Sequence, residues 1–324
     1  MKKILLASFI LFASSSSQGQ NRKHSSNFST FQQYYNPAFT GFQGSVVKSY
    51  YRNQWAGFDG APTTLFVSGE INLSDYGNKS LLVEGLQPVK RGVKHSMGFS
   101  VLHDSYGPFV ENQILLSYKS LVSLTDKIRL QAGGAIAYHA QSLDGSKLTS
   151  EEVNDPTLQQ YANQTSRSNR MDFNMGLALS GPDFYAGYAM QNIRGSMGSP
   201  DNDFFTNNGK MQHNVQAGYR AAISDQVGLV FNGLFRFDNQ LKQTIEGQLK
   251  GVFYNTAWVG FGYRRALAYS LTAGFRMKQL KFGYSYEIPT GDAQMTGSET
   301  NEIVVTYDLK KIIHPKQMRQ MSIW

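Results

Sequence analysis

The chain has 324 residues and no cysteine, which excludes a small exported fold stapled by disulfides and a lipid-modified cysteine behind a leader. Its net charge is +8, yet Lys and Arg are scattered along the chain and gather in no stripe, so the basic balance does not indicate nucleic acid. After the first residues no stretch approaches the roughly 20 consecutive apolar residues of a membrane helix. Gly, Tyr and Phe number 31, 18 and 21, a composition suited to strands with aromatic girdles.

In chain order, residues 1–19 read as an export signal, with Lys2 and Lys3, an apolar run from Ile4 to Phe12, and Ser17-Gln18-Gly19 as the cleavage site. Residues 20–41 are expected as an N-terminal periplasmic segment. Phe28, Phe31, Tyr34, Tyr35 and Phe39 recur at roughly helical spacing, and Pro37 stops a helix at Asn36. A brief helix over 28–35 is therefore expected to plug or buttress the periplasmic end of a barrel, with Tyr34, Tyr35, Asn36 and Pro37 making the contacts.

From residue 42 to 309 the pattern has period 2. Leu130, Ala132, Ile136 and Tyr138 alternate with Arg129, Gln131, Ala137 and His139; Leu229, Phe231, Phe235 and Phe237 oppose Asn232, Arg236 and Asp238. About 14 such segments can be counted, an even number as single-chain bacterial barrels require. They are 42–52, 62–73, 93–104, 110–121, 127–141, 170–180 and 183–191, then 211–222, 226–238, 241–253, 256–264, 267–276, 279–288 and 299–309. The fold expected is all-β, a transmembrane antiparallel barrel with a short N-terminal helix or plug. With a periplasmic N-terminus, the long connections 142–169, 192–210 and 289–298 all fall outside the cell, as such barrels prefer. The connection 74–92 is the exception, long and periplasmic. Residues 310–324 then form a basic periplasmic tail.

Enzyme motifs are missing: no Gly-rich phosphate loop ending in Lys-Ser/Thr, no His-Glu-x-x-His, no Gly-x-Ser-x-Gly. The six His residues have no metal-ligand spacing, and neither metal nor cofactor is expected. By the alternation Arg129, Arg220, Arg236, Arg264, Arg276 and Glu287 point into the lumen, with Lys250, Lys281, Glu246, Glu302 and Asp308. They either pair across a filled interior or line an anion-preferring pore.

Several blocks resemble the PorP/SprF family of outer-membrane proteins, part of the type IX secretion and gliding machinery of Bacteroidetes. They are Asn36-Pro37-Ala38 with Gly41, Tyr51-Arg52-Asn53-Gln54-Trp55, Gly57-Phe58 and Gly60-Ala61-Pro62-Thr63-Thr64. Asp104-Ser105-Tyr106-Gly107-Pro108 is similar to a family turn, and Gly283-Tyr284-Ser285-Tyr286-Glu287 to a near-terminal strand. Ser298 to Ile303 lacks the His of the corresponding family motif. The resemblance implies a non-enzymatic outer-membrane component that binds, helps export or anchors a secreted adhesin through the adhesin or its C-terminal sorting region. It also implies contact with a periplasmic ring, an outer-membrane lipoprotein and outer-membrane lipid. Tyr51, Arg52, Trp55, Phe58 and Tyr106 sit in the first two outer connections and are the candidate partner contacts; the same residues could instead knit the barrel mouth together. A small-solute porin with an open basic lumen is the alternative, and an outer-membrane enzyme would need a catalytic constellation that the sequence lacks.

Overall fold

The computed structural model describes residues 24–57, 60–75, 82–83, 93–148, 161, 164–194, 210–238, 243–290, 299–310, 312–313 and 323–324. The expected export signal, 1–19, lies outside them. The strands in chain order are β1 (Val46–Asn53), β2 (Thr63–Asn72), β3 (Leu82–Val83), β4 (Val93–Tyr106), β5 (Phe109–Ser123), β6 (Arg129–Asp144), β7 (Thr165–Ser180) and β8 (Phe184–Gln191). They continue as β9 (Gln212–Ala222), β10 (Val227–Asp238), β11 (Gln243–Phe253), β12 (Ala257–Arg264), β13 (Ala268–Met277), β14 (Leu280–Pro289), β15 (Thr300–Asp308) and β16 (Ile312–Ile313). All except β3 and β16 form one closed antiparallel barrel of 14 strands, in which β1 pairs with β2 on one side and β15 on the other.

The alternation has one cause. In β5, Ile114, Leu116 and Tyr118 face outward and are exposed, while Glu111, Gln113, Ser117 and Lys119 are buried. In β11, Ile245, Leu249 and Phe253 face out, and Thr244, Glu246, Gln248 and Lys250 face in. Apolar side chains outside and polar ones inside invert the arrangement of a water-soluble sheet, and only a lipid surround makes it favourable.

Each of the expected segments corresponds to a barrel strand. The first starts later than expected because Gly41 and Gly44 hold positive φ (64° and 91°), so the chain turns before β1 begins at Val46. β7 starts earlier than expected, at Thr165. Its polar first half continues the sheet by pairing with β6, Thr165 opposite Asp144, and hydrophobic patterning cannot register that pairing.

The short connections 181–183, 223–226, 254–256 and 278–279 lie at one end of the barrel, with the long ones 145–164, 192–211 and 290–299 at the other. Outer-membrane barrels keep their short turns periplasmic. The long periplasmic connection 73–92 contains β3, which pairs in parallel with β16, Ile312 opposite Leu82 and Ile313 opposite Val83. The exception in the loop pattern thus ties down the chain that follows β15.

The N-terminal segment differs from expectation in form and extent. Helix α1 is one turn, Gln32–Tyr35, because Asn36 is extended ahead of Pro37 and the residues before it form tight turns, Thr30 N–H donating to Asn27 and Phe31 N–H to Phe28. A 3-10 turn, Pro37–Phe39, follows. The segment does not stop at the periplasmic end; it threads the lumen. Ser25 to Asn27 lie by the outer ends of β1, β14 and β15, where Ser25 Oγ donates to Glu302 (2.8 Å) and Ser26 Oγ to Glu287 (2.8 Å). Halfway down, Phe31 packs edge-on against Tyr50 (4.9 Å) and Phe66 (5.4 Å). At the periplasmic rim Ser45 Oγ donates to Asp75 (2.7 Å).

The tail also departs from expectation at its end. Ile323 and Trp324 are buried inside the periplasmic half of the barrel, in a cluster with Phe39, Tyr185, Val230, Val252 and Trp258. The barrel wall is cut to receive the plug. A Cβ on Gly133 would come within 2.4 Å of the Pro37 carbonyl, and one on Gly176 within 1.9 Å of Asn36 Oδ1. These glycines face each other across β6 and β7. Gly133→Val is expected to unseat the Asn36–Phe39 turn at a cost of about 1–3 kcal/mol, read as faster proteolysis of the N-terminal segment in folded barrels, with Gly134→Ala, whose Cβ finds space, as the silent control.

Candidate functional site

A dense polar cluster surrounds the plug's head in the outer half of the lumen. Four consecutive residues without strand alternation, His24 to Asn27, meet inward-facing charges from several strands. Arg52 of β1 pairs with Glu287 of β14 (2.9 Å) and Glu302 of β15 (3.4 Å), and Arg264 of β12 reaches the same Glu287 (2.5 Å). His24 Nδ1 stands 3.3 Å from Glu246 and its Nε2 3.8 Å from Glu287. Asn27 Nδ2 donates to Glu302 (2.9 Å) and to Ser285 Oγ (2.7 Å). The plug is therefore fastened to both sides of the β1–β15 seam, where the barrel closes.

Lower in the lumen Lys48 binds Glu70 (2.9 Å) and donates to the Thr30 carbonyl (2.9 Å), while Glu70 accepts from Gly41 N–H (2.6 Å). Asn36 is the hinge of the middle section. Its Oδ1 accepts from Ala38 N–H (2.9 Å), capping the 3-10 turn, and its Nδ2 donates to the Leu177 carbonyl of the wall (3.3 Å). Tyr35 is buried beneath the Arg236 guanidinium (5.7 Å to the ring), and Tyr34 donates to Gln113 (3.4 Å). Pro37 abuts the wall at Gly133. Of the remaining lumen charges, Arg276 donates to the Asn255 carbonyl (3.3 Å), Arg220 lies over the Trp324 ring (4.3 Å), Lys281 pairs with Asp308 (3.3 Å), and Arg129 is half-buried at the periplasmic start of β6. Most of these inward charges meet carboxylates, carbonyls or aromatic faces, as a filled interior requires.

The five residues expected to contact a partner do not form one patch. Arg52 is 3% exposed and belongs to the lumen cluster, because the alternation of β1 turns it inward. Its neighbour Tyr51 is 47% exposed on the lipid-facing side. Trp55 and Tyr106 do lie on the outer rim, both half-buried. Trp55 holds φ at 55°, uncommon for a bulky side chain, and Tyr106 stacks on Phe109 at 5.2 Å. Phe58 lies outside the described residues. The rim connections are joined to one another: Ala56 N–H donates to Glu299 (3.1 Å) and Gly107 N–H to Gly60 (2.9 Å).

Sequence reasoning missed His24 to Asn27 as the plug's head and Trp324 as a lumen residue. Neither sits in a periodic stretch; the aromatic spacing after Asn27 was the sole signal for the plug.

A closed barrel with an apolar outer face, aromatic residues and a polar interior defines an outer-membrane β-barrel protein. The chain belongs to the PorP/SprF family of type IX secretion system membrane proteins, whose family model matches residues 17–307. No curated protein matches it. Among solved structures it is similar to a Pseudomonas aeruginosa FadL homologue (10% identity, 84% of this chain and 92% of that one, TM-score 0.45). It is also similar to the Acinetobacter baumannii outer membrane protein Omp33 (8% identity, 82% and 96%, TM-score 0.46) and to the KdgM porin (10% identity, 81% and 98%, TM-score 0.33).

Arg52→Met leaves Glu287 and Glu302 short of a buried cation, and a loss on the order of 3–5 kcal/mol is expected. Denaturant unfolding in detergent, followed by the heat-dependent gel shift of barrels, measures it; Tyr51→Leu on the opposite face is expected to change little.

Proposed function

We propose that this protein is a plugged, non-enzymatic barrel of the type IX machinery that holds a secreted surface protein, such as an adhesin, and helps its export. In this reading it passes no solutes. The observation that carries it is the N-terminal segment threading the lumen from the Arg52 cluster to Ser45, seated on glycines and bonded to charges at both ends. A barrel whose interior is occupied acts through its surfaces. On the outer rim Trp55 and Tyr106 are the residues best suited to anchor a partner, since large aromatic side chains dominate interface energies. The left-handed backbone of Trp55 adds to this reading, because strained conformations concentrate where a surface is used. The periplasmic face, with 73–92 tied to β16, is the side available to a ring protein or lipoprotein of the system.

Two experiments test the reading. In planar bilayers the purified protein is expected to give no stable open channel; a steady, salt-dependent conductance would favour an anion-preferring porin instead. From detergent-solubilised outer membranes, the tagged protein is expected to recover a secreted protein's C-terminal region or a ring component. Trp55→Ala with Tyr106→Ala should weaken that recovery by at least about tenfold, the scale of one hot-spot pair. Recovery of neither class of partner would sink the proposal.

A further inference from the structure

The last two described residues lie in the barrel as a bound peptide would. The Trp324 indole stands edge-on to Tyr185 of β8 (5.0 Å, 73°), beside Phe42 of the plug (6.0 Å), with the Arg220 guanidinium of β9 over its face at 4.3 Å. Its main-chain oxygen accepts from Lys250 Nζ of β11 (2.7 Å) and from Ser29 Oγ of the plug (3.4 Å). Ile323 is buried with Val230, Val252 and Trp258. An aromatic slot, a cation over the ring and an ammonium on the main-chain oxygen are the means by which proteins recognise short peptide segments. The fit is not complete: a cavity of about 40 Å³ remains beside it, lined by Thr30, Gln43, Lys281, Thr306 and the two residues themselves among others. The wall groups of the slot, Tyr185, Arg220, Val230, Lys250, Val252 and Trp258, lie in the periplasmic half of the barrel, and the family match ends at residue 307, before the segment that fills the slot.

We propose that this socket is a peptide-binding site opening on the periplasm. In the resting protein the chain's own Ile323–Trp324 fills it. A partner segment of the same chemistry, an apolar residue followed by tryptophan, takes its place. Because the socket is built half from wall (Tyr185, Arg220, Lys250) and half from plug (Ser29, Phe42), exchange of its occupant is felt by the plug. The tethered segment competes at an effective concentration of roughly millimolar, so the intact protein resists dilute free peptide.

The test uses full-length protein in detergent and a fluorescent synthetic peptide with the sequence of residues 318–324. Trp324→Ala is expected to bind this peptide at least tenfold more tightly than the unaltered protein does, and to ignore a peptide ending in Ala. Adding Lys250→Met should abolish the binding. Failure of a folded Trp324→Ala protein to bind, or equal binding by the unaltered protein, would overturn the proposal. Since the chain has no native cysteine, a second measurement stands apart from that variant. Ile323→Cys should react with a water-soluble maleimide at least tenfold more slowly than Lys310→Cys, and millimolar peptide should accelerate it. Fast labelling without peptide, or no acceleration with it, would count against the proposal equally.

Discussion

A sheet surrounded by lipid can leave no edge unpaired, so everything in this molecule depends on the meeting of β1 with β15 across almost the whole chain. Val46 opposite Asp308 and Asn53 opposite Asn301 close the ladder. Unsatisfied amide and carbonyl groups in hydrocarbon cost several kcal/mol each, which makes closure the condition for the other twelve strands to remain in the bilayer. That seam is also where the charges converge. Arg52, Glu287 and Glu302 come from β1, β14 and β15, and the plug's head binds to all three. Closure and plugging therefore share one set of charges: the residues that line the seam at its outer end are also the ones that hold the plug's head.

The filled interior follows from size. Fourteen strands enclose more space than inward side chains fill, and the plug occupies it with a polar head, an aromatic middle and a compact turn. Each section meets a complementary wall. Carboxylates and arginines surround His24 to Asn27, the rings of Tyr50 and Phe66 surround Phe31, and bare glycines receive Asn36 to Phe39. Glycine within a strand weakens a sheet, so Gly133, Gly176 and Gly187 make sense as seats rather than as strand residues.

Much of the barrel was legible in the chain, because period-2 alternation is a direct image of two solvents on two sides of one strand. Strand number and the facing of Arg236 or Glu287 follow from that image, and the end with short turns from the lengths of the connections between the segments. The site was less legible. Arg52 and Tyr51 are adjacent in a motif and looked like one outer contact, yet alternation sends one to the lumen and the other to lipid. The aromatic spacing at 28–39 indicated a plug but not its reach, since spacing reports local conformation and not where a segment enters a cavity. Ile323 and Trp324 carried no periodic signal at all; their place is set by a slot assembled from β8, β9, β11 and the plug.

By itself, then, the sequence determined a membrane-spanning antiparallel barrel with an even number of strands, because alternation must match lipid outside and polar groups inside residue by residue. Only the tertiary structure decided that the lumen is threaded from end to end, that Arg52 is an interior clasp, and that the tail's end returns into the barrel. Those facts rest on contacts between residues as much as 295 positions apart, such as Ser29 with Trp324. Long-range packing of that kind leaves no periodic trace in the chain.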